Sequence, residues 1–176
     1  VLVLYLELIY IWQTTGKNAK VSCNPIFDTL MMIVPSLIVF DGLTAWTVNH
    51  LDIVPVSLNL FLHAVFFILL SLFMFVMFLH TLSFIKGFPQ KLIFRFLIFL
   101  PFIISVILIL VFLPELEFII GKKVNYSMGI SVVVCYLVIL LYFILIFVFT
   151  VRRIKYLEVR KRINVMSFLF ISLLIL

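Results

Sequence analysis

Residues 53–85 run for 33 positions without one Asp, Glu, Lys or Arg. No other feature restricts the fold as much. A helix rises 1.5 Å per residue, so about 20 apolar residues already cross the ~30 Å hydrocarbon core of a bilayer. Two further runs are equally free of charge, residues 96–114 and residues 124–151. Residues 26–48 form a fourth apolar stretch, with Asp41 set well inside it. A transmembrane barrel would instead show segments of about ten residues alternating apolar and polar. Here Leu, Ile and Phe fill both faces of each run.

Composition closes the soluble alternative. The chain has 176 residues, 66% hydrophobic and 11% charged, with 21 phenylalanines. A soluble domain carries about 25% charged residues, and in a domain of this size much of the chain lies near the surface. The expected fold is therefore all-α, a polytopic transmembrane helix bundle forming a single domain. Its spans fall at about 1–12, 26–48, 57–85, 93–114, 128–151 and 163–176. The first and last are too short to cross and read as truncated, so the chain reads as a piece of a longer protein. Residues 1–12 have neither a basic leader nor a small-residue cleavage site, unlike a signal peptide.

The basic residues set the orientation. Lys17 and Lys20 precede the second span, and Lys86, Lys91 and Arg95 follow the third. Arg152, Arg153, Lys155, Arg160, Lys161 and Arg162 follow the fifth. These alternate connections hold eleven of the 13 basic residues; the others hold only Lys122 and Lys123, near Asp52, Glu115 and Glu117. Short cytoplasmic loops retain Lys and Arg. The basic loops are thus expected in the cytoplasm of a cell-membrane protein, with the first run starting outside. The net charge of +6 follows from topology. Its partners are the bilayer and its anionic headgroups, and nucleic acid is not needed to explain it. The segment RRIKYLEVRKR reads as topogenic charge, or else as a helix lying on the inner membrane surface.

Polar groups inside spans are costly and often functional. Asp41 lies about eight residues before the end of its span, and His63 six or seven residues into the next, so the two reach similar depth across a short turn. A buried Asp41–His63 pair is the expected site. Asp41 satisfied locally and His63 facing water is the alternative. His80 is expected near the inner interface, too far from His63 to share a metal ion with it. Cys23 and Cys135 fit neither a disulfide framework nor a CxxC site. The sequence has no Gly-rich phosphate loop, HExxH or GxSxG. No catalytic residue, cofactor or metal is expected in this segment.

Several features together resemble the N-terminal multi-helix membrane region of bacterial GGDEF-type diguanylate cyclases. They are Asn24-Pro25-Ile26-Phe27 opening the second span, Asp41 late in that span, and the stretch FLPFIISVILILVFLPELEFI with its break at Pro114. Asn125-Tyr126-Ser127-Met128-Gly129, Tyr136, Tyr142 and RRIKYLEVRKRINVMSFLFI continue the pattern. The resemblance implies a sensory or anchoring region that regulates a C-terminal cytoplasmic cyclase domain. It also implies an unidentified signal and is compatible with a homodimer. Similar regions front sensor histidine kinases. The rival class is a small-molecule transporter or permease, for which two mid-helix prolines and one intramembrane acid are the only signs.

Overall fold

The computed structural model describes residues 25–85, 92–121 and 125–153. Four helices dominate them: α1 (Pro25–Val48), α2 (Val56–Ile85), α3 (Leu92–Val111) and α4 (Ile130–Arg153). Pro25 opens α1, where its missing N–H costs nothing because that donor has no helical partner anyway. Asp28 sits in the same first turn, where the positive end of the helix dipole favours an acid. Pro35 and Pro101 each stay inside a continuous helix.

Three helices are long and apolar enough to cross a membrane: Pro25–Val48, the Val56–Ser83 part of α2, and the Ile130–Arg152 part of α4. In α3 the apolar stretch found among the described residues is shorter, Arg95–Val111. The described residues therefore show three spanning-length helices among four, not six spans. The runs expected at 1–12 and 163–176 lie outside the described residues.

The segment between α3 and α4 carries structure that the hydropathy pattern does not announce. A 3-10 turn (Leu113–Glu115) follows α3, and two short strands, β1 (Glu117–Ile119) and β2 (Tyr126–Met128), then pair antiparallel. Glu117 faces Met128, Phe118 faces Ser127, and Ile119 faces Tyr126. Pro114 forces the break: it cannot donate the N–H that would continue α3.

Helix α2 is the axis of the bundle. From Phe73 to Leu82 every residue is buried, as expected for a helix apolar on all sides. Its neighbours contribute Phe27, Leu30, Ile33 and Val34 from α1, Ile109 from α3, and Cys135, Ile139, Tyr142 and Ile146 from α4. Tyr142 is fully buried and its ring lies 5.7 Å from Phe75 and 5.8 Å from Phe78. Phe75 in turn stacks on Phe102 of α3 at 5.1 Å. His80, near the end of α2, is buried within the bundle, 5.7 Å from the Phe27 ring.

The outer surface inverts the soluble pattern. Met32, Ile38, Val39 and Trp46 on α1, Ile93, Phe96 and Ile107 on α3, and Val133, Leu137 and Phe147 on α4 are all exposed. Thr44, Thr47, Asn59, Ser71, Ser105 and Thr150 are buried. A soluble monomer seldom exposes contiguous apolar patches beyond a few hundred Å². Hydrocarbon tolerates such a surface and penalises exposed hydroxyls and amides.

Candidate functional site

The α1–α2 turn is built from local hydrogen bonds. The Asn49 and His50 N–H groups donate to Trp46 and Thr47 carbonyls, and the Val54 N–H to the His50 carbonyl at 2.9 Å. The Asn49 side-chain amide donates to the Ala45 carbonyl at 2.8 Å, satisfying one of the orphan acceptors of the helix end. The His50 ring stacks on Trp46 at 4.7 Å.

Just below this turn lies the polar seam between the helices. Thr47 Oγ1 donates to Asn59 Oδ1 at 2.7 Å, and Asn59 Nδ2 reaches the Thr47 carbonyl at 3.4 Å. Both residues are buried. One turn further on, His63 Nδ1 donates to the Asn59 carbonyl at 2.8 Å. The His63 ring is packed edge-on against Phe67 of α2 and Phe118 of β1, at 5.8 and 5.2 Å.

The hairpin is tied to the same end. Asn125 Nδ2 donates to the Val48 carbonyl at 3.0 Å, and the Asn125 N–H approaches Asn49 Oδ1 at 3.4 Å. The α1–α2 turn, the polar seam and the hairpin thus form one connected cap on the bundle.

The expected Asp41–His63 pair does not form. Among the described residues no hydrogen bond or ion pair joins them; His63 is buried and Asp41 is exposed. Helical phase gives the reason. Successive residues turn by about 100°, so Asp41, six positions before Thr47, points roughly 120° away from the face that carries Thr47. His63, four positions after Asn59, stays within about 40° of Asn59 on the seam side. Similar depth was therefore not enough. The residues that do meet are Thr47 and Asn59, which stand at equal distances on either side of Ile53.

Asp41 instead lines a cavity of about 270 Å³ between α1, α2 and α4. Val34, Leu37 and Ile38 form its α1 wall, and Phe66, Phe67, Leu70 and Phe73 its α2 wall. Cys135 and Tyr136 close the α4 side. Cys135 is buried there, its sulfur 3.9 Å from Ser71 Oγ and 3.7 Å from the Phe67 carbonyl. Neither the cavity nor the Ser71–Cys135 contact was legible in the sequence, since both depend on how α4 docks against α2.

Of the basic cluster, Arg152 lies exposed at the end of α4. The Arg153 side chain, Lys155, Arg160, Lys161 and Arg162 lie outside what the structure describes. Among the described residues no group of three or more His, Cys, Asp or Glu could hold a metal ion. Comparison with protein-family models, with curated proteins and with solved structures found no match.

Proposed function

We propose that this chain is the membrane-embedded sensory or anchoring region of a bacterial signalling protein, regulating a C-terminal cytoplasmic diguanylate cyclase domain. The basic loops face the cytoplasm, and the α1–α2 turn and the hairpin face outward, as the distribution of Lys and Arg requires.

The observation that carries this reading is the connected cap. Asn125 joins the hairpin to the end of α1, Phe118 rests on His63 of α2, and the hairpin runs directly into α4. A signal acting on the cap is thereby in mechanical contact with three helices. Helix α4 leads toward the basic segment on the cytoplasmic side, so a shift at the cap has a route to the output. The bundle would hold two arrangements, and a signal moves their balance only through its different affinity for each. A homodimer is the arrangement in which two output domains would be brought together or held apart.

The transporter reading requires a polar passage through the bundle. The described interior is instead packed along α2 with Phe73, Met74, Phe75, Met77 and Phe78, which favours the sensory reading.

The test replaces this region, in the full-length protein, by an unrelated anchor of equal span number, and measures cyclic dinucleotide production in cells. The expected outcome is altered and signal-insensitive output. Unchanged output would reduce the region to a tether. A reading frame that continues without a cyclase or other signalling domain would overturn the proposal.

A further inference from the structure

Asp41 stands seven residues before the end of α1, about 10 Å down the helix at 1.5 Å per residue. A carboxylate at that depth in a span is expensive unless something neutralises it. Among the described residues nothing hydrogen-bonds or ion-pairs with its side chain; only its backbone carbonyl is engaged, by Thr44. Its surroundings are also unusual. It is the only charged group lining the cavity between α1, α2 and α4, and four aromatic rings, Phe66, Phe67, Phe73 and Tyr136, share that lining. The space is large enough for water, yet its walls offer water few polar partners.

We propose that this cavity binds a lipophilic organic ammonium ion, with the cation at Asp41 and the apolar body against Phe66, Leu70, Phe73 and Tyr136. Two attractions converge on such a ligand. The carboxylate supplies the counter-charge, in a setting where few competing dipoles weaken it. The aromatic faces attract a desolvated cation through their quadrupoles. An anionic ligand is repelled by Asp41, and a neutral apolar one leaves the carboxylate unneutralised. At about 270 Å³ the cavity is at the small end for ligand sites, which suits a one-ring cation rather than a whole lipid. The site is independent of the sensory reading, because its test measures binding and not output.

The experiment is equilibrium binding of benzyltrimethylammonium to the full chain in uncharged maltoside micelles. Neopentylbenzene, with the same shape and no charge, is measured in parallel. The expected result is saturable binding of the cation, tighter than that of the hydrocarbon. Asp41→Asn should weaken the cation tenfold or more and leave neopentylbenzene unchanged, and Asp41→Glu should restore most of the loss. Leu70→Trp, which fills the cavity, should abolish binding of both. The proposal is overturned if the Asn variant binds the cation as well as the native chain, or if both ligands bind native protein equally. Loss of both ligands in the Asn variant would make Asp41 a shaping residue and not a counter-ion, and would overturn it as well. So would cation binding that survives Leu70→Trp, or cross-linking that shows a second copy of the chain seated in the cavity.

Discussion

Tyr142→Ala is expected to lower the stability of the bundle by about 3–5 kcal/mol, the usual cost of deleting a large buried aromatic. Tyr142 is the residue where three helices meet. It is fully buried on α4, its ring touches Phe75 and Phe78 of α2, and its hydroxyl donates to the Ile98 carbonyl of α3 at 3.1 Å. The cost arises even though lipid is as apolar as the protein interior. Between helices in a membrane there is little hydrophobic driving force, and association rests on close packing and interhelical hydrogen bonds. Removing the ring forfeits dispersion contacts that no neighbour can replace without moving. Tyr142→Phe separates the two contributions. It keeps the packing and loses one hydrogen bond, so its cost should stay near or below 1 kcal/mol. Equilibrium unfolding in mixed micelles, followed by circular dichroism, reads both variants. Equal effects of Ala and Phe would show that the hydroxyl, not the ring, holds the three helices together.

The second large effect is expected at Gly129→Val. Gly129 links β2 to α4 with a φ of +159°, a region that residues with side chains avoid. A Cβ there would lie 3.1 Å from the Glu115 carbonyl oxygen and 3.3 Å from the Leu116 Cα, both backbone atoms. Backbone cannot rotate aside as a side chain can, so β2 would have to part from the 3-10 turn. The combined strain is about 1–3 kcal/mol. The lesion should be local: faster hydrogen exchange at the Tyr126–Met128 amides, with the amides of α2 unaffected. Gly42→Ala is the matched control. Nothing lies within 4 Å of a Cβ at Gly42, and alanine is the better helix former by up to ~1 kcal/mol. That variant should be neutral or stabilised. Protected hairpin amides in Gly129→Val would mean that the cap does not depend on this close approach.

These two sites also mark the boundary of what the sequence makes legible. Hydropathy places helices well when a run is long and charge-free. The helix bounds Pro25–Val48 and Val56–Ile85 lie beside the expected 26–48 and 57–85. Leu92–Val111 and Ile130–Arg153 differ more from 93–114 and 128–151, because Pro114 ends one helix early and Gly129 delays the next. Hydropathy is blind to the hairpin between them, whose strands are three residues each, too short to show a period of two. Of the site, the sequence marked Asp41 and His63 as costly residues at similar depth. It contained the helical phase that separates them and the symmetric placement of Thr47 and Asn59 about the turn. The cavity beside Asp41 was not legible, since Cys135 and Tyr136 reach it only through the docking of α4.

The central claim is that these helices cross a bilayer with the basic loops inside, and thiol accessibility tests it most directly. In a Cys23→Ser/Cys135→Ser background, single substitutions Ile53→Cys, Ile120→Cys, Lys91→Cys and Lys155→Cys place one thiol in each of the four connections that follow α1, α3, α2 and α4. Ile53 and Ile120 are 71% and 77% exposed, so a reagent can reach them. With a membrane-impermeant maleimide, positions 53 and 120 should label in intact cells, and positions 91 and 155 only after permeabilisation. Labelling of positions 53 and 91 from the same side would mean that α2 does not cross the membrane, and the account would fail at its axis.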